Sequence, residues 1–302
     1  MYKIAILLAT YNGEKYISQL LDSIAAQKKV AVSIYAIDDD STDNTRLILE
    51  KSNLNIKIFP SQKNRNSTKN FIYLLKNVPK NFDYYCFCDQ DDYWLKNKIT
   101  YSIWKMKSHK ADILGSRTYL TKENLKIYGK SILFKKKICF SNALVQSIAG
   151  GNTNIWSKKF HLLLSSLNLN SPASHDWMLY QISTYLGFKY LYLKKPLLLY
   201  RQHSKNVVGA NNNMRAVMKR IYLAATGRSR DWHDMNFSHL NEIKKLINSK
   251  KDEYKQLEGF YNARKITNPL RKLYLIKFKF KIFRQTLLGE LYLLFAILFD
   301  KI

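Results

Sequence analysis

Along the first ninety residues, apolar runs of two different periods take turns. Ile4 to Leu8 is continuously apolar, and the polar TYNGEKY behind it opens into Ile17, Leu20, Leu21 and Ile24, spaced as one face of a helix. Val30 to Ile37 is rich in β-branched residues and stops at DDDSTDNT, whose Asp, Ser and Thr suit the start of a helix around Arg46 to Lys51. Asn55 to Phe59 reads as a third strand, NFIYLLKN as a third helix, and Tyr84 to Cys88 as a fourth strand. Strands alternating with helices predict a parallel sheet, whose ligands bind beyond the carboxyl ends of the strands.

From about residue 113 the pattern is less regular. Ile113 to Tyr119 is followed by GGNTNIW, a helix from about Lys159, the short motif SHDWMLY, a strand near Tyr190 to Tyr192, and PLLLYRQHSKNVVG. After Ala210 the chain turns to basic helical segments, with NNNMRAVMKR as the junction, so the expected division is 1–212 and 213–302. No internal repeat of 20 to 50 residues is visible.

Composition narrows the partners. Fifty Lys and Arg against 22 Asp and Glu leave a net charge of +28, which predicts attraction to an anionic surface: nucleic acid, anionic lipid or a nucleotide-bearing substrate. Cys86, Cys88 and Cys139 have neither a disulfide framework nor zinc-site spacing, and imply a reducing compartment. MYKIAILLATYNGE reads as a buried strand entering a turn, not as an export signal. These readings set the expected localisation as cytoplasmic.

Against the basic background, acid gathers at two strand ends, in DDDSTD and in CDQDD. No G-x-G-x-x-G follows the first strand and no G-x-x-x-x-G-K-[ST] occurs, so phosphate must be handled without those loops. Carboxylates are the usual ligands of hard divalent cations, and Mg²⁺ commonly joins one or two of them to substrate phosphates. Asp89, Asp91 and Asp92 could hold such an ion, which would neutralise a departing diphosphate. The plain alternative is a solvated acidic turn.

Taken in order, LLATYNGEKYISQLLDSI, DDDSTDNT, CDQDDYW, GGNTNIW, SHDWMLY and YRQHSKNVVG resemble the inverting family 2 glycosyltransferases of GT-A type, in particular their bacterial rhamnosyltransferase-like branch. The resemblance covers about residues 1–210. It implies an α/β GT-A fold, a mixed, mostly parallel sheet flanked by helices, here with a basic, mainly helical C-terminal extension. It also implies that Thr10, Tyr11 and Asn12 lie in the nucleotide loop, that Asp39 reads the pyrimidine edge with Asp38 beside it, and that Asp91 is the metal carboxylate, with Asp89 near the nucleotide and Asp92 a helper. A carboxylate accepting the pyrimidine N3 hydrogen serves uracil and thymine equally. The chain departs from the family at Asp40 and Asn66, where Gly is usual.

Asp176 in SHDWMLY matches the family's general base, which inversion by direct displacement requires within reach of the acceptor hydroxyl. His175 could orient it or be a structural histidine, and Trp177 could wall a sugar face or be a core aromatic. Arg201 could stabilise charge on a leaving diphosphate and His203 could join the metal; otherwise both are surface residues after a strand. Gly150 and Gly151 would let backbone approach the donor sugar, or form a plain turn.

Residues 264–302 carry nine Lys and Arg against Glu290 and Asp300, and LLGELYLLFAILF is too short to span a bilayer. An interfacial segment on the inner face of the cytoplasmic membrane is expected, with a helix packed on protein as the alternative. YLIKFKFKIF alternates with period two, closer to a strand than a helix.

The expected activity is metal-dependent transfer, with Mg²⁺ or Mn²⁺, of a sugar such as L-rhamnose from its dTDP donor to a glycan or lipid-linked glycan. A UDP-hexose donor on the same fold is the enzyme alternative. A nucleic-acid-binding protein is the alternative of another class; it explains the charge but has no recognised motif, so no nucleic-acid partner is expected. A homo-oligomer is compatible with the sequence.

Overall fold

The computed structural model describes residues 1–63, 65–169, 172–203, 228–246 and 252–302. The expected junction NNNMRAVMKR, the boundary at 212 and residues 204–209 of the last motif lie outside them.

Strand β1 (Tyr2–Thr10) sits between β2 (Val30–Asp38) and β4 (Tyr84–Asp89), parallel to both. Because neighbours and helices cover both of its faces, Ile4, Ala5, Ile6, Leu7 and Leu8 are all fully buried, which is why the sequence there is an unbroken apolar run. Helix α1 (Glu14–Ala25) buries Ile17, Leu20, Leu21 and Ile24. Helices α2 (Thr45–Glu50) and α3 (Ser67–Asn77) follow β2 and β3 (Ile56–Phe59).

The seven-stranded sheet runs β10-β6-β9-β4-β1-β2-β3, with β6 (Ile113–Ser116), β9 (Ile155–Ser157) and β10 (Tyr190–Leu193). All pairs are parallel except those of β9, which runs antiparallel to β4 and β6. A second sheet, β5-β11-β7-β8, joins β5 (Tyr93–Trp94), β7 (Tyr119–Thr121), β8 (Ile127–Lys130) and β11 (Leu198–Arg201). The Ile113–Tyr119 run is therefore split between two sheets. Pairing of Trp94 with Leu198 and Tyr93 with Leu199 brings the end of β11 beside the acidic loop after β4. Helices α4 (Lys98–Ser108) and α6 (Lys158–Ser166) complete this first unit, which comprises residues 1–133, 149–167 and 188–210.

Residues 134–148, 168–187 and 211–302 form a second compact unit. Two stretches that the sequence division placed with the N-terminal part thus pack with the C-terminal helices. Helix α5 (Phe140–Ala143) rests against α7 (His175–Tyr185), which buries residues on all sides, as a central helix must. The Trp177 indole N–H donates to Ala143 O at 2.6 Å, and the Tyr180 hydroxyl lies 3.0 Å from Asn142 Oδ1. The unit continues with α8 (Arg228–Ile243), α9 (Asp252–Arg264), α10 (Pro269–Leu273) running into a π-helical stretch (Tyr274–Lys279), and α11 (Leu287–Leu298). YLIKFKFKIF is therefore helical over its first half, against its period-two pattern.

Candidate active site

The register sets Thr10 beside Asp38 and Ala9 beside Asp89, so both acidic clusters emerge at one edge of the sheet. Asp38 is buried and orders its own loop: Oδ1 accepts from Thr10 Oγ1 (2.8 Å) and Ser41 Oγ (2.6 Å), and Oδ2 from the Ser41 N–H (3.0 Å). Asp39 is buried too, accepting from Asn70 Nδ2 at 3.2 Å while its N–H donates to Thr10 O. Asp40 has φ +60°, the left-handed region that favours glycine and that Asp tolerates better than most residues, so the replacement of the family's Gly keeps the loop conformation.

Asn12, also left-handed at φ +46°, accepts the Thr42 N–H on Oδ1 at 2.8 Å and ties the first loop to the second. The neighbouring Tyr11 side chain is exposed, and its backbone is clamped at both ends by the Gln90 amide, with Tyr11 N to Oε1 at 2.8 Å and Nε2 to Tyr11 O at 2.9 Å. A Cβ on Gly13 would lie 2.4 Å from Gln90 Oε1, so the glycine makes room for that clamp. Sequence reading missed Gln90 because an amide between carboxylates has no periodicity to reveal it.

In CDQDD the three carboxylates have different settings. Asp89 and Asp91 are half-buried, and Asp91 Oδ2 lies 2.8 Å from His203 Nε2. Asp92 is fully buried, and Oδ2 accepts from Asn152 Nδ2 at 2.6 Å while Oδ1 has no hydrogen-bond partner. Burial, and then the charges of Asp89 and Asp91, push its carboxyl well above the usual range. The buried Lys98 ammonium donates to Asn152 O at 2.7 Å and sits 3.3 Å from the Trp94 ring centroid; burial pulls its pKa down. Asp92, Asn152 and Lys98 thereby link the D-x-D loop to the Gly150-Gly151 turn. Gly151 opens a 3-10 turn, and Gly150 O accepts from Thr153 N and Oγ1.

Arg201 is buried behind Asp91. Its Nε donates to Asp91 O at 3.1 Å, Nη2 to Gln19 Oε1 at 2.7 Å and Nη1 to Glu123 O, with the guanidinium 4.6 Å from the Tyr16 ring. This makes it a positioning residue for the acidic loop. Tyr16 also stacks on His203 at 4.9 Å and donates its hydroxyl to Glu123 at 2.6 Å, and burial together with Glu123 pushes it up to about 12. Neither Tyr16 nor Glu123 was legible as part of the site, since each contacts it only across long chain separations.

Among the described residues no three His, Cys, Asp or Glu side chains form a metal centre. The Asp91–His203 pair suits a divalent cation that takes one or two protein groups and fills its other positions with phosphate and water.

The remaining candidates belong to the second unit. Asp176 sits in the first turn of α7, where the helix N-terminus favours negative charge, and Oδ2 accepts from Ser147 Oγ at 3.1 Å. His175 is half-buried, and burial lowers its pKa against the opposing charge of Asp176. Trp177 is a core residue: its indole is buried, bonded to Ala143 O, and meets the His233 ring edge-on at 5.7 Å.

Comparison with known proteins agrees with this architecture. The profile described as Glycosyl transferase family 2 matches residues 5–168. The chain is 33% identical over 260 residues to the dTDP-rhamnosyl transferase RfbG of Shigella flexneri, covering 82% of this chain and 85% of that one. In fold it is similar to Staphylococcus aureus TarS 1-349 in complex with UDP-GlcNAc (TM-score 0.55, 20% identity, 93% of this chain and 88% of that one). It is also similar to the mannosyltransferase PcManGT from Pyrobaculum calidifontis in complex with GDP-Man and Mn²⁺ (TM-score 0.52, 13% identity, 90% and 72%). The fold is GT-A, and on the profile and the relative that spans most of its length the chain belongs to glycosyl transferase family 2.

Proposed function

We propose that this glycosyltransferase moves L-rhamnose from dTDP-rhamnose, with inversion, to a hydroxyl of a lipid-linked or cell-surface polysaccharide acceptor. The observation that carries the reading is the Asp91–His203 pair at the carboxyl edge of the sheet, in a chain similar over most of its length to a dTDP-rhamnosyl transferase.

Asp39, buried beside Thr10, is assigned the pyrimidine edge, and Asp91 with His203 would hold Mg²⁺ or Mn²⁺. Such an ion, when bound, supplies Lewis-acid neutralisation of the diphosphate. Arg201 keeps Asp91 in place from behind. The acceptor oxygen bonds to the anomeric carbon as the bond to the diphosphate breaks, and the hydroxyl proton passes to Asp176. That role rests on the resemblance of SHDWMLY and on the setting of Asp176 at a helix start.

A UDP-hexose donor is the second reading, favoured by the UDP-GlcNAc complex of TarS. Calorimetric titration with dTDP and UDP, with and without Mn²⁺, tests both. The expected result is metal-dependent binding that prefers dTDP, is lost in Asp91→Ala and persists in Asp176→Asn, with turnover of the latter down about 10²–10⁴-fold. A UDP preference selects the second reading. Binding of neither nucleotide by folded protein overturns both.

A further inference from the structure

The last two helices of the second unit, α10 and α11, pack on one another and each leaves an apolar stripe uncovered. At about 100° per residue, Leu287, Leu288, Leu291, Phe295, Leu298 and Phe299 of the α11 segment fall within one arc of about 120°, and all are exposed, Leu287 by 77% and Leu288 by 71%. Leu293, Ala296 and Ile297 occupy the opposite side and are buried. The helix is therefore apolar on two faces, only one of which the protein uses. In α10 and the π-helical stretch behind it, Leu270, Tyr274 and Phe278 recur every fourth residue and are 72%, 60% and 69% exposed.

Charge is sorted to match. Glu290, which interrupts the apolar run in sequence, is turned inward: it accepts the Arg284 N–H at 2.6 Å and pairs with Lys136 (3.3 Å) and Lys277. Asp300 pairs with Lys272 and, at 3.3 Å, with Arg230. Both acidic residues of 264–302 are thus balanced within the fold, while Lys265, Arg271, Lys279 and Lys281 are exposed.

We propose that these two helices dock the enzyme on an anionic lipid bilayer, with the apolar stripes in the headgroup–acyl boundary and the flanking Lys and Arg on lipid phosphates. The twelve residues of α11 reach about 18 Å, well short of the roughly 30 Å hydrocarbon core, so the helix lies in the interface and does not cross it. Among the described residues no helix is long and apolar enough to cross a membrane. A second copy of the chain fits this surface poorly, because it would bring the same basic rim against itself, whereas headgroup phosphate neutralises it. The proposal is independent of which nucleotide sugar the first unit takes.

Co-sedimentation of the full chain with phosphatidylglycerol–phosphatidylcholine vesicles, and with phosphatidylcholine alone, tests it. Binding to the anionic vesicles is expected to fall about tenfold or more in Arg271→Glu/Lys279→Glu/Lys281→Glu and in Leu288→Ser/Leu291→Ser, with nucleotide binding unchanged as the check on folding. No binding by the unaltered chain, or equal binding by both variants, overturns the proposal. So does a dimer in sedimentation velocity that Leu288→Ser/Leu291→Ser converts to monomer without any vesicle binding, which would make the stripe a self-association face.

Discussion

Lys98 and Asp92 lie beneath the loops of the candidate site, and burial drives their protonation equilibria in opposite directions, each toward its neutral form. Asn152 mediates between them, donating to one and accepting from the other. Replacing Lys98 with Met would leave the buried Asn152 carbonyl without its Lys98 donor, and is expected to cost about 1–3 kcal/mol in denaturant unfolding. A Lys98→Met variant as stable as the parent would show that the Asn152 carbonyl does not depend on Lys98. Arg201 is another residue whose type was legible in the sequence and whose contacts were not: its Nε donates to the Asp91 carbonyl.

At the scale of elements, the strands and helices of the first unit follow local periodicity closely, whereas their ends depend on single polar contacts. Asn66, where the family usually has Gly, is extended at the start of α3 and accepts the Lys69 N–H at 3.1 Å. Asn66→Ala is expected to cost about 1 kcal/mol, and Asn66→Gly only a few tenths, read from unfolding midpoints. Equal effects of the two would remove the capping role. The C-terminal helix pair shows the opposite case, in which periodicity misleads. Asn268 caps α10 through the Arg271 N–H at 2.9 Å and Pro269 follows it, so the chain enters YLIKFK already helical and carries Ile276 into the core. Helical spacing then stacks Tyr274 on Phe278 four residues on, with the ring centroids 6.2 Å apart.

For the whole molecule, three buried histidines set an acid limit. Burial lowers His161 to about 3, His233 to about 3 and His239 to about 4 from an ordinary 6.5. His161 stacks on Tyr85 at 3.6 Å with no hydrogen-bond partner for either ring nitrogen. The fold keeps these imidazoles neutral while the unfolded chain takes up protons below 6.5. Stability is therefore full above that value and falls as pH drops toward the folded values, by about 2 kcal/mol per histidine at pH 5. The thermal midpoint should fall steadily between pH 7 and 4.5; a flat profile would mean that the three rings are charged or solvated in the fold.

What the sequence determined by itself was the order of strands and helices through β4, and the gathering of acid at the carboxyl ends of β2 and β4. Strands buried on both faces must be continuously apolar, and helices on a sheet must be apolar on one side, so both are written in nearest-neighbour spacing. Tertiary structure alone decided the rest. It joined His203 to Asp91 across 112 positions, set Gln90 between two loops, put Trp177 in the core and gathered 134–148 and 168–187 with the C-terminal helices. It also turned Glu290 inward and left Leu287, Leu288, Leu291 and Leu298 of α11 outside. Which side of a doubly apolar helix is covered, and which distant polar groups meet, depends on packing between segments far apart in the chain, and no local period encodes that.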